Sequence, residues 1–241
     1  MPHAPTAAAC IPPVAPLMST KTAAFFRAEG TLLGPGVLTA TAYLAANAKK
    51  FGERALRLGV VALSAPLHGL LGQNDRALGN RIAYLAFRGM SEDRLAELGE
   101  EYAADVLKDK VLDQGVELIK RARGEGHRVV LISDNIAQIM EPLLQHLPAV
   151  DDLVCNRLEF ADGEATGKLL DPVIGGHGGG RWVQDYAARH GLDLGRSLAY
   201  GTAGTDLLLL AAVGRPCAVN PDFTLRRGAR EADWPVVEYR E

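Results

Sequence analysis

A chain of 241 residues, 48% of them hydrophobic, is long enough to bury one sizeable core, with or without a smaller inserted unit, and too apolar to stay unfolded. Twenty-six basic residues against 29 acidic ones leave a formal charge of -3, which excludes the broad positive field of a nucleic-acid or anionic-membrane binder. Three scattered cysteines, Cys10, Cys155 and Cys217, exclude a disulfide framework and a zinc site, so the expected setting is a reducing cytoplasm.

Residues 1–21, rich in Pro and Ala and without a basic leader segment, are expected to be a disordered tail, with translation starting at Met1 or at Met18. Ala23 to Phe26 reads as a short buried strand that ends at a turn. From about residue 37 to 123 the pattern is helical. Within it, residues 55–72 are strongly apolar but interrupted by Arg57, Pro66 and His68, which predicts no membrane span. A buried helix pair, or one face resting on lipid or a partner, is the expectation. Ser91 is a predicted N-cap with Glu92 and Asp93 behind it, and Leu95, Leu98, Tyr102 and Val106 mark one helical face.

Strands resume at residues 128–133, "RVVLIS", after the breaker run 124–126. "NRLEFA" and "EATGKLL" flank Asp162-Gly163, a type I′ hairpin signal, and "SLAYG" and "PCAVN" add two buried strands. The order predicts an open α/β sheet whose first crossover is enlarged. Residues 22–36 and 119–241 would form the sheet, and residues 37–118 an all-helical cap. Ligands of such sheets lie beyond the carboxyl ends of the strands, which singles out Arg27 and Glu29, Ser133 and Asp134, and Thr202 and Asp206.

With "FFRAEGTLL" after the first strand, "VVLISDN" at the second and "AYGTAGTDLLLLAAVGRPCAVNPDFTLRRGA" followed by "DWPVVE" at the end, residues 22 to 240 resemble the haloacid dehalogenase superfamily. The likeness is to its phosphoserine-phosphatase-like branch, and it implies a doubly wound, mainly parallel Rossmann-like sheet carrying a helical cap. In that family one aspartate of the opening motif attacks phosphorus and the next works as acid and base. A hydroxyl holds a phosphate oxygen, a lysine steadies the nucleophile, and paired acids help hold magnesium. Carried over by position, Arg27 stands at the nucleophile, Glu29 at the acid/base residue, Ser133 at the hydroxyl, Arg181 at the lysine, Thr202 at the first late acid and Asp206 at the second.

These replacements change the chemistry. A guanidinium has five donors and no lone pair with which to attack phosphorus. Magnesium wants hard oxygen ligands, and here one carboxylate has become a cation and another a hydroxyl. Arg27 and Arg181 against Glu29 and Asp206 sum to zero without an ion, so the expectation is no cofactor, the metal being lost. The guanidinium of Arg27 is expected to stand in for the metal, pairing with Asp206, Glu29 or a bound anion, and its role stays open between a group that points to solvent or closes a salt-bridge plug, an anion contact, and surviving catalysis. Thr202 and Thr205 are expected to serve backbone groups of their own turn. Residues 175–180 read as a loop or as an anion nest. The histidines show no ligand spacing, and "GGHGGGR" lacks the ending of a P-loop.

The leading expectation is an inactive phosphatase homologue that works as a binding, regulatory or scaffolding protein. Its partner would be another protein docked on the cap, a second copy, or a phosphorylated ligand held by Arg27, Ser133 and Arg181, with peripheral lipid contact through residues 55–72 and no nucleic acid. The alternative is an active phosphomonoesterase of a small or lipid phosphate.

Overall fold

The structure is a computed structural model. It describes residues 21–239 apart from 35, 49–50, 73–74 and 176–177, and leaves aside the side chains of residues 68–69 and 71–72. The expectations for the N-terminal tail, Cys10, Met18, His68 and His177 lie outside the described residues.

Strand β1, Ala23–Arg27, is buried along its whole length. It lies between β2, Arg128–Ile136, and β6, Leu198–Gly201, and is parallel to both. Beyond β2 lies β3, Asp152–Asn156, and beyond β6 lie β7, Arg215–Val219, and β8, Val236–Val237. The described residues thus form a six-stranded parallel sheet in the order β3-β2-β1-β6-β7-β8. Its chain path leaves β1 to one side for β2 and returns to the other for β6. This reversal opens a crevice at the carboxyl end of β1.

Alternation along β1 builds the two cores. Ala24 and Phe26 face one layer and Ala23 and Phe25 the other, as a period of two demands. Phe26 stacks on Tyr200 with ring centres 4.5 Å apart, and Phe25 sets Trp182 and Tyr186 edge-on. Packing of this kind fixes the height at which Arg27 leaves the sheet.

The helical stretch after β1 resolves into α1, Val37–Ala46, α2, Phe51–Gly72, α3, Arg76–Tyr84, α4, Glu92–Tyr102, and α5, Asp113–Gly124. Ser91 caps α4 as expected by accepting from Arg94 N, and Leu95, Leu98 and Tyr102 are buried. Residues 55–72 do not form a helix pair. They belong to the single 22-residue α2, which Pro66 does not end. No helix of the described residues is long and apolar enough to cross a membrane.

After α6, Ala137–Leu143, and β3, the strands β4, Leu158–Ala161, and β5, Glu164–Leu169, form the anticipated hairpin. Asp162 and Gly163 both have positive φ, 51° and 78°, as a type I′ turn requires. The hairpin is not part of the main sheet. It reaches back to the helices, where Gly89 N donates to Ala165 O and Ala165 N to Met90 O. Helices α7, Gly179–His190, α8, Leu207–Ala211, and α9, Phe223–Glu231, complete the second layer.

Helices α4 and α6 pack so closely that a Cβ placed on Gly99 would run into the carbonyl of Gln138. Gly99→Ala removes a helix-interior glycine, worth about 1 kcal/mol in its favour, yet backbone cannot yield as a side chain does. The expected result is a net loss of about 1–3 kcal/mol in urea denaturation, in the range of overpacked cores.

Candidate functional site

The turn at the end of β1 positions the site. Ala28 N donates to Ile132 O, the Thr31 hydroxyl donates to Arg27 O, and Leu32 N and Leu33 N both reach Ala28 O. Gly30 adopts φ +82°, a conformation that suits glycine, and a Cβ there would press on the Thr202 side chain. Because the chain turns this tightly, Arg27 and Glu29 both face the carboxyl ends of β2 and β6.

The Glu29 carboxylate is held by the carboxyl end of β2. Its Oε1 accepts from Ser133 Oγ at 2.5 Å, Asp134 N at 3.1 Å and Asn135 Nδ2 at 3.0 Å. Ser133 Oγ also accepts from Asn135 N at 3.0 Å. The hydroxyl is therefore engaged within the protein on both its donor and an acceptor side.

Arg27 is 3% exposed and surrounded by carboxylates. Its Nη2 lies 2.6 Å from Asp134 Oδ2 and 3.7 Å from Glu29 Oε2, and its Nε lies 3.3 Å from Asp206 Oδ1. These contacts are ion pairs set off the N–H axes, without aligned hydrogen bonds. Asp206 is fixed from its other side, Oδ2 accepting from Thr202 N at 2.9 Å and Ala203 N at 3.1 Å. A second guanidinium enters from α3: Arg76 Nη1 stands 3.2 Å from Asp134 Oδ2 and 4.0 Å from Asp206 Oδ1.

Five charged groups thus share one buried place, with two guanidiniums facing Glu29, Asp134 and Asp206. Burial works against the charge of Arg27, but Asp134, then Asp206 and Glu29, outweigh it and raise its pKa, so it stays protonated. Burial likewise pushes Asp134 up, yet Arg27 and Arg76 hold it below the usual carboxylate range. Glu29 moves the other way, raised by burial and then by Asp134 against the pull of Arg27. The cluster approaches neutrality as Glu29 takes up its proton.

Arg27, Glu29, Ser133, Thr202 and Asp206 are brought together as the sequence suggested. Arg181 is not: it is exposed on α7 and takes no part in the cluster. Arg76 supplies the second cation instead, from a helix that the sequence pattern assigns only to the cap. Nothing in the sequence around it announces a site beyond its place just after the Asp75 N-cap. Asp134, singled out by its place near the end of the second strand but given no role by the family motifs, is the nearest partner of Arg27. Thr202 Oγ1 donates to Glu29 O at 3.2 Å, bridging to the first turn and not serving its own. Among the described residues the buried Thr205 hydroxyl finds no hydrogen-bond partner, contrary to expectation.

Beside Arg27 lies a cavity of about 100 Å³ with Ile174, Trp182, Thr205 and Leu209 in its wall. Gly178 and Gly179 line it at the start of α7, while Gly175, with φ +121°, packs onto Asp134 and Asn80. Among the described residues no group of three or more His, Cys, Asp or Glu side chains is arranged to hold a metal ion.

A family model described as haloacid dehalogenase-like hydrolase matches residues 24–211. A Mycobacterium tuberculosis protein that carries the name phosphoserine phosphatase is 33% identical over 174 residues, 72% of this chain and 56% of that protein. The chain therefore spans little more than half the length of that relative. Among solved structures, a Bordetella pertussis Tohama I protein of unknown function superposes with a TM-score of 0.76 at 24% identity, covering 91% of this chain and 99% of that one. A phosphoserine phosphatase in its apo form gives 0.66 at 17% identity, covering 92% and 95%. At these identities the structural likeness shows the fold.

Proposed function

Because the chain belongs to the haloacid dehalogenase-like hydrolase family and yet closes its strand-end crevice with a buried guanidinium, we propose that it is a phosphatase-like protein that has given up phosphoryl transfer and serves as a binding, regulatory or scaffolding protein. The observation that carries this reading is the position of Arg27, 2.6 Å from Asp134 and 3.3 Å from Asp206 at 3% exposure.

The residues present do not fit magnesium. Asp134 and Asp206, the oxygens a divalent ion would need, are turned to Arg27. A dication about 4 Å from that guanidinium would be repelled by roughly 8 kcal/mol at an effective dielectric near 20. Nor does either replaced acid of the first motif offer a free oxygen nucleophile. Arg27 has no lone pair to give, and Glu29 Oε1 already accepts three hydrogen bonds. Of the open roles for Arg27, its three carboxylate partners favour the plug over the anion contact, since the charge an anion would seek is already answered.

The name of the Mycobacterium tuberculosis relative favours the second reading, an active phosphomonoesterase. One experiment separates the two: hydrolysis of phosphoserine and of p-nitrophenyl phosphate, with and without magnesium, beside a thermal melt under the same conditions. The expected result is no turnover above buffer and no rise in Tm with magnesium or phosphate. Magnesium-dependent turnover that disappears in Asp206→Asn would establish the phosphatase.

A further inference from the structure

Helix α2 carries its apolar side chains outward. Phe51, Leu56, Leu63, Leu67 and Leu70 are between 47% and 85% exposed, while Arg57, Val61 and Ser64 turn inward. Arg57 is consumed by Glu53 and by the carbonyls of Ala86 and Arg88. From Ala55 to Leu70 it is the sole Asp, Glu, Lys or Arg, so the outer side of this stretch bears none of these charges.

The exposed residues have an order. Gly52, Leu56, Gly59, Leu63, Pro66 and Leu70 follow each other at four- and three-residue steps, the seam of a heptad pattern, and all six are exposed. Large and small residues alternate along the seam. If a second copy is laid antiparallel across it, with a twofold axis near Val61, Gly52 meets Leu70 of the partner subunit, Leu56 meets Pro66 of the partner subunit and Gly59 meets Leu63 of the partner subunit. Each leucine then faces a residue with no side chain or only a short ring, the match that lets helices interdigitate closely. Both glycines weaken the helix, and a Cβ at either would touch nothing in a single copy. The packing of one chain gives no reason for them, whereas pairing does.

We infer that α2 is a self-association face on which two copies pair antiparallel through this Gly/Leu seam. The inference holds whether or not the chain hydrolyses phosphate esters. Lipid is a poorer match, because among the described residues of the helix Arg54, near its start, is the one exposed Lys or Arg, and lipid has no use for the alternation. The seam is roughly 28 Å long and about 10 Å wide, or on the order of 600 Å² over two copies. That lies below the 1,200 Å² or so of a standard interface, so the dimer is weak and depends on concentration.

Sedimentation velocity of the full chain from about 1 to about 100 µM brackets such an affinity. The expected result is a monomer–dimer equilibrium that Leu63→Glu shifts toward monomer by more than about tenfold, with an unchanged Tm at concentrations where both chains are monomeric, because the side chain is exposed. A monomer across the whole range, or a dimer indifferent to Leu63→Glu, overturns the proposal, as does a monomer that instead binds vesicles of mixed neutral and anionic lipid. Register is tested by oxidising Gly52→Cys and Leu70→Cys chains separately and mixed, with the parent chain as control for its native cysteines. Antiparallel pairing gives a covalent dimer in the mixture only, since two position-52 residues would be about 27 Å apart, far beyond the roughly 7 Å reach of a disulfide. Homodimers of the Gly52→Cys chain would overturn the antiparallel arrangement.

Discussion

Arg27→Ala should destabilise the protein by about 3–5 kcal/mol, the penalty for removing one member of a buried ion cluster. Asp134 would keep only the partly exposed Arg76, and Asp206 would keep the same cation at 4.0 Å. For a chain of this size the loss corresponds to a fall in Tm of about 6–20 °C. Arg27→Met, which retains volume without charge, should fall nearly as far. A loss under about 1 kcal/mol in either variant would show that the carboxylates are relieved some other way.

The pH dependence of the difference is set by the shifts. In the parent, Asp134 is held below its unfolded value of about 3.9, so its contribution is present above that pH and is lost as pH falls through the folded value. Without Arg27, burial dominates and the folded pKa of Asp134 rises above the unfolded one. The same group then favours folding only while protonated and opposes it at neutral pH. Glu29 is already raised and so opposes folding above its folded pKa, and loss of Arg27, which lowers it, adds to that penalty. The gap between parent and variant should therefore be widest near pH 7 and narrow as pH falls toward about 4, read from denaturation at several pH values.

The triple variant Arg27→Asp, Glu29→Asp, Thr202→Asp should recover a metal-dependent site. It reverses the central charge and surrounds it with carboxylates, leaving Arg76 as the nearby counterion. Two effects are expected: magnesium raises the Tm of the variant and not of the parent, and p-nitrophenyl phosphate is hydrolysed in magnesium at least about a hundredfold above the parent, the lower range for one positioned electrostatic group. A folded variant whose Tm ignores magnesium would overturn the view that charge alone bars the ion.

Much of the sheet was legible because its strands are short apolar runs between breakers, and Ser91, Asp162 and Gly163 announced a cap and a turn by their own chemistry. β3 was not, because "DLVCN" is half-buried and merges with the hairpin next to it in the chain. The motif residues of the site could be placed because each comes directly after a strand. Arg76 could not, since a helix reveals its inward face by apolar spacing, and an arginine aimed at carboxylates contributed by Asp134 and Asp206 gives no such signal. Arg181 misled for the opposite reason: it stands at the start of a helix near the right strand, but points to solvent.

The bond between Arg76 and Asp134 joins α3 to the end of β2, two segments 58 residues apart in the chain. Swinging α3 away from the strand ends would strip a shielded carboxylate of one of its two counterions. The resting posture of that helix is thus tied to the chain's own electrostatics: to move it is to unpair a charge that water does not reach.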